Sequence, residues 1–243
     1  MTWSILARDG EGRLGVAIAS RFFAVGALCV HSRAGVGVLA TQALVNPMYG
    51  SGGLDLLQAG HDAADVVARL TQADEGRAQR QLHVLSWQGA AAAHTGASCV
   101  DWCGHAVHAD FSVAGNMLAG PRVLQATAEA FVASAGRPLA ERLIAAMQTG
   151  DRAGGDKRGR QAAALRIQGG EDYPELDLRV DDHDNPFTEL QRLFEKSLER
   201  FQPFVTCLPR RASLAGELDR TLIEAAIERF TAARLSPNRS PEP

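Results

Sequence analysis

The stretch "TWSILARDGEGRLGVAIAS", residues 2–20, decides how the rest of the chain is read. Trp3, Ile5 and Ala7 alternate with Thr2, Ser4 and Leu6, the two-residue period of a strand. "DGEGR" supplies turn residues and "LGVAIAS" resumes with β-branched and small apolar side chains, so the segment predicts a hairpin. Chain ends are usually frayed and polar. Here the first strand follows Met1 at once, and the expectation is that Thr2 is held in a sheet.

Working outward, "GALCVHSRAGVGVLATQAL" (26–44) adds two apolar runs broken at Ser32 to Gly35, making about four strands before any helix. Ser51 is placed to cap "GGLDLLQA", with Gly60 closing it, and Asp62 precedes a helix carrying Ala64, Val67 and Leu70. "QLHVLSWQGAAAAHTG" (81–96) reads as strand, turn and strand, and "HAVHADFSVAGNML" (105–118) as one more strand. Pro121 and Pro138 each open an amphipathic helix, ended by Gly136 and Gly150, and "QAAALRI" and "LDLRV" are the last strands. The class is α+β. Two antiparallel sheets packed together, with a helical layer outside each, would use these pieces, though other α+β arrangements would too.

The compact domain is expected to span 1–185. Beyond it, "NPFTELQRLFEKSLERF" and "LAGELDRTLIEAAIERFTAARL" are amphipathic, so 186–235 reads as a helical extension docking on the domain or on another subunit. The Pro-rich residues 236–243 read as a disordered tail.

Composition narrows the partners. With 46% hydrophobic and 22% charged residues and a formal net charge of -3, there is no basic field for nucleic acid or an anionic membrane. No apolar run reaches the ~18 to 20 residues of a membrane span, and no signal peptide is expected, which leaves the cytoplasm as the expected compartment. Four cysteines do not make a disulfide framework. "CVDWCGHAVH" gathers Cys99, Cys103, His105 and His108, the ligand types of zinc, but without a usual CxxC or HxxxH spacing. Turn and strand roles are favoured there, and no metal is assigned.

A threonine in second position offers a specific chemistry. Once Met1 is removed, its hydroxyl can attack a carbonyl while its own α-amine, of intrinsic pKa about 7.7 to 8.0, takes the proton. Such a residue must be held still, and its β-branch restricts χ1 and helps to aim the hydroxyl. Supporting groups are sought at strand ends. Ser20 and Arg21 end the second strand. Thr41, Gln42, Asn46 and Tyr49 follow another. Asn116, between glycines in "VAGNMLAGP", is a neutral, directional oxyanion donor. In "GGDKRGRQ", Asp156 and Arg160 read as a clamp in which a guanidinium holds a substrate carboxylate. His94 in "AAHTG" is a further candidate base or binding group.

Together, "TWSILARDGEGRLGVAIASRFFAVG", "AGVGVLATQALVNPMYGSGGLDLL", "AAHTGASCVDW", "GNMLAGP", "GGDKRGRQAAAL" and "YPELDLRVDDH" resemble, in order, the bacterial family catalogued as domain of unknown function 1028. The resemblance runs from Thr2 to about Asn185. It implies a four-layer αββα sandwich like that of the N-terminal-nucleophile hydrolases, carrying C-terminal amphipathic helices, with Thr2 in the nucleophile position. Proteasome-like relatives end the second strand in Asp-Ser-Arg. Here "ASR" keeps Ser20 and Arg21, and His31, Ser32 and Arg33 stand where a lysine would end the next strand.

The resulting expectation is an amidohydrolase cleaving a small-molecule amide or lactam. Thr2 is the nucleophile, Asn116 or loop amides near Asn46 bind the oxyanion, Arg21 or Arg160 positions the substrate, no cofactor is needed, and the protein is a homo-oligomer. A non-catalytic binding or assembly protein that retains the fold is the alternative.

Overall fold

The computed structural model describes residues 2–235; Met1 and the tail 236–243 lie outside them. The chain divides into two compact units, residues 1–190 and residues 191 onward.

In the first unit the opening hairpin forms from β1 (Thr2–Arg8) and β2 (Leu14–Ser20), joined by a turn that Asp9 closes by accepting from the amides of Glu11 and Arg13. A five-residue helix, α1 (Val25–Cys29), then carries the chain into β3 (Val30–Arg33) and β4 (Gly37–Ala43). The sequence reading has no helix here. Its entry is non-local, with Ala24 in the left-handed region at φ 52° and its amide donating to the carbonyl of Asp181.

Next come α2 (Met48–Gln58) and α3 (Ala63–Gln72). The first begins earlier than Ser51, at Pro47, whereas Asp62 caps the second as expected by accepting from the Asp65 amide at 2.8 Å. Strands β5 (Arg80–Ser86) and β6 (Ala91–Thr95) follow. The segment read as one strand from His105 is instead a hairpin, β7 (Trp102–Val107) and β8 (Phe111–Leu118), turning where the His108 amide donates to the Phe111 carbonyl. The unit closes with α4 (Arg122–Ala133), α5 (Leu139–Arg152), β9 (Ala162–Gln168), β10 (Leu176–Val180) and the start of α6 (Pro186–Ser197).

Every strand pairing is antiparallel. One sheet runs β10-β9-β2-β1-β8-β7 and the other β3-β4-β5-β6. Helices α2 and α3 pack on the four-stranded sheet through Leu39, Leu54, Val66 and Leu82, and α5 packs on the six-stranded sheet through Leu139 and Leu143 against Gly15. Between the sheets lies an apolar cluster including Leu6, Val16, Ile18, Val38, Ala40 and Leu85.

Gly150 does not end α5, which continues to Arg152. It is a contact point. A β-carbon there would lie 2.2 Å from Thr127 Oγ1 on α4 and 3.1 Å from the indole nitrogen of the fully buried Trp3. Gly150→Val is therefore expected to lower stability by about 3 kcal/mol, since overpacking outweighs the small gain in helix propensity. A urea midpoint compared with that of Gly10→Ser, whose site has nothing within 4 Å and no left-handed φ, checks this.

The second unit contains the rest of α6, then α7 (Phe201–Val205) and α8 (Arg220–Leu235), which pack on each other. Within it Arg200 makes a two-pronged pair with the Glu224 carboxylate. Among the described residues the fold is thus mixed α+β, with antiparallel sheets and eight α-helices, and no helix is long and apolar enough to cross a membrane.

Candidate active site

Ser20, Thr2 and Asn116 stand side by side on three neighbouring strands, because the register pairs Thr2 with Ser20 on β2 and with Asn116 on β8. Strand alternation turns Thr2, Ser4 and Leu6 toward the four-stranded sheet and Trp3 and Ile5 away from it. The Thr2 hydroxyl donates to Ser20 Oγ at 3.1 Å. Asn116 Nδ2 donates to the Thr2 carbonyl at 3.3 Å and to Gln81 Oε1 at 3.0 Å, so both of its amide hydrogens are engaged. At 5%, 0% and 1% exposure, Thr2, Ser20 and Asn116 are shielded from water.

A second polar rung faces this one. Gln42, Gln81 and Thr95 are register partners on β4, β5 and β6. Gln81 is its hub: Oε1 accepts from Gln42 Nε2 at 2.8 Å as well as from Asn116, while Nε2 shares its hydrogens among Thr95 Oγ1 and the carbonyls of Gly104 and Gly115. Gln42 Oε1 in turn accepts from the Ser4 hydroxyl at 2.8 Å. Ser4 has then spent its hydrogen, so at 2.8 Å from His83 Nε2 it accepts. His83 therefore carries its proton on Nε2, and Nδ1 accepts from Ser112 Oγ at 2.9 Å.

That arrangement uses neutral His83, and full burial, aided by the charge of His105, pushes its pKa down from 6.5 to about 3. The unfolded chain takes up a proton as pH falls through 6.5 and the folded chain does not. Stability is accordingly full above about pH 6.5 and declines as pH drops toward 3. His83→Gln is expected to flatten this part of the profile, a change read from urea midpoints at pH 7 and pH 5.

The loop of residues 154–161 lies across the strand ends on either side of Thr2. Gly155 O accepts from the Ala119 amide just beyond β8, and the Gln161 amide donates to Ser20 O at 3.0 Å. Buried Asp156 accepts from the amides of Arg21, at 3.1 Å, and Arg158, at 2.7 Å, so its carboxylate organises the loop. Arg21 Nη1 donates to Arg158 O at 2.8 Å, and Arg160 pairs with Asp151 at 2.7 Å.

Other candidates are not brought to Thr2. Thr41 points to the opposite face of β4 from Gln42, and its hydroxyl donates to Asn46 O at 3.2 Å. Asn46 Nδ2, Tyr49 Oη and Arg80 Nε converge on Asp74, and the Tyr49 phenol, then Arg80, hold that carboxyl well below the usual carboxylate range. The Asn46 and Met48 amides are occupied by Thr41 Oγ1 and Asn46 Oδ1, which argues against oxyanion donors there. His94 faces away from the polar rung, with Nε2 at 2.9 Å from Arg77 O. Of the zinc-type cluster, His105 Nδ1 is hydrogen-bonded with Thr95 Oγ1 at 2.8 Å and His108 stacks on Phe111. No group of three or more His, Cys, Asp or Glu side chains suited to a metal occurs among the described residues.

Ser4, Gln81, His83 and Ser112 escape the sequence reading. Their signal is a two-residue period: Thr2 and Ser4, Gln81 and His83, and Ser112 and Asn116 with Ala114 between them. Alternation of that kind ordinarily marks a wet face, and here it marks the space between two sheets.

No curated protein sequence matches the chain. Among solved structures, the Anbu (ancestral β-subunit) protein from Yersinia bercovieri aligns over 81% of this chain and 94% of its own at 14% identity and a TM-score of 0.37, too slight a likeness to support a statement on fold or activity. The crystal structure of protein SPO2555 from Silicibacter pomeroyi, assigned to DUF1028, is similar at 33% identity and a TM-score of 0.83, over 90% of this chain and 96% of that one. Residues 2–190 match the family described as "Family of unknown function (DUF1028)", and the chain belongs to that family.

Proposed function

We propose that this protein is an N-terminal-nucleophile amidohydrolase of four-layer αββα architecture, cleaving an amide or lactam bond in a small molecule. The observation that carries the reading is the Thr2 hydroxyl, buried at the end of a central strand, oriented by Ser20 and with its own carbonyl held by Asn116. A nucleophile fixed on both sides meets the geometric demand of attack.

With Met1 removed, the α-amine accepts the hydroxyl proton as Oγ1 attacks the carbonyl carbon. The tetrahedral intermediate collapses to a Thr2 ester, and the proton leaves with the departing amine. Water activated by the same amine then hydrolyses the ester, releases the acid and restores Thr2. The bond from Asn116 to the Thr2 carbonyl, at 3.3 Å, is the longer of its two, and it is the one for which a developing oxyanion would compete. This chemistry calls on no metal or organic cofactor.

The test is the intact mass and N-terminal sequence of untagged protein, followed by a screen of small amides. Loss of Met1 with a free Thr2, and hydrolysis in the screen, is the expected result. Retained Met1 in protein from the native cell would block the amine and move the reading to a binding or assembly protein.

A further inference from the structure

We infer that the cavity beside Ser20 is a subsite for the amino-acid end of the substrate, holding an α-carboxylate and its ammonium group together. Its volume is about 420 Å³, and its walls include Arg21, Arg160, Gln161, Asp182, His183 and Asp184. The link to catalysis rests on the amidohydrolase reading, whereas the ligand chemistry is argued from the cavity itself.

Several of its polar groups are already committed. Arg160 Nη1 is held by Asp151, Gln161 Nε2 donates to Asp182 Oδ1 at 2.9 Å, and Arg21 Nη1 donates to Arg158 O. Three groups remain. Arg160 Nε is buried and has no acceptor. His183 Nδ1 accepts from the Asn185 amide at 2.9 Å, so the neutral ring presents an N–H at Nε2. Asp184 has no hydrogen-bond or ion-pair partner among the described residues and is exposed at the cavity wall.

A buried donor without an acceptor calls for one, and a carboxylate accepts from a guanidinium edge and an imidazole N–H at once. A site for a simple anion would carry an excess of cations. This one lines up two arginines with two aspartates. Asp184 is a partner for an ammonium group on the same ligand, which selects a zwitterion. The cavity borders the strand end that pairs with Thr2, because the amide of its wall residue Gln161 is bonded to Ser20 O and Ser20 is the register partner of Thr2.

The test is calorimetric titration of wild-type and Thr2→Ala protein with L-alanine, propionate and ethylamine, which carry both charges, the carboxylate alone and the amine alone. Alanine is expected to bind, propionate to bind about tenfold more weakly, and ethylamine not to bind. Asp184→Asn should bring alanine to the propionate level without changing propionate. Arg160→Lys keeps a cation opposite Asp151 but removes the Nε hydrogen, and should weaken both acids about tenfold.

Equal binding of alanine and propionate, insensitive to Asp184→Asn, would overturn the zwitterion subsite, as would no binding at millimolar concentration. The Thr2→Ala protein separates the two readings. Zwitterion binding by a protein whose wild type hydrolyses no amide sinks the catalytic reading alone, and turnover without alanine binding sinks the subsite alone.

Discussion

Thr2→Ala is expected to abolish amide hydrolysis, by a factor of at least about 10³, while the protein remains folded. In the proposed reaction the hydroxyl oxygen forms the ester, and no neighbouring group replaces it: Ser20 is held one strand away, at the far end of the Thr2 hydrogen bond. The structural cost is small. One buried hydrogen bond is lost, about 1 kcal/mol, and Tm falls by about 2 to 4 °C. Thr2→Ser keeps the nucleophile and loses a methyl group, so it should retain measurable turnover. The pH profile of kcat/KM supplies an independent sign. The α-amine must be unprotonated to accept the hydroxyl proton, so the rate should climb with pH and level off above about 8. A profile falling through that range, or an active Thr2→Ala protein, would remove the N-terminal base from the mechanism.

Gln81→Leu should be the most destabilising single change in the inter-sheet space, at about 4 kcal/mol. Its amide serves Gln42, Asn116, Thr95 and the carbonyls of Gly104 and Gly115, and leucine serves none of them. Each polar group left buried without a partner costs about 1 to 3 kcal/mol, and groups sharing one hub are not additive, which keeps the sum below the arithmetic total. Chemical denaturation gives the figure directly. The variant also frees one hydrogen of Asn116, loosening the clamp on the Thr2 carbonyl, so turnover measured well below the unfolding midpoint should fall as well. Unchanged stability would mean that water refills the space and that the hub is dispensable.

Much of the fold is legible in the order of residues. The hairpin of residues 2–20 can be read because its turn chemistry and alternation agree, and α3 because Asp62 stands one residue before the helix with helical spacing behind it. What is not legible depends on distant partners. The helix α1 is entered through a strained Ala24 tied to Asp181, and no local propensity announces it. The turn at Ala109 and Asp110 lacks glycine and hides the hairpin of β7 and β8. At the site, the grouping of Thr2 with Ser20 follows from the hairpin, and Asn116 reaches them by a pairing across more than a hundred residues. Gln81 and His83 look like the wet side of a strand until a second sheet is laid over them. Asn46 and Tyr49 sit in a polar, glycine-rich stretch that suggests binding, and the chain uses them to hold Asp74.

The placement of β1 between β2 and β8 has a consequence for how the protein is made. β1 finds the partner β2 at once and waits for the other until residues 111–118 have been synthesised. At about 5 to 20 residues per second, that wait is on the order of ten seconds. During it, an apolar strand displays an open edge, the kind of surface that recruits other chains. The wait also means that Ser20 and Asn116 meet around Thr2 only after nearly half of the chain has been synthesised. Holdase chaperones should therefore raise the soluble yield of this chain more than any change to its finished surface.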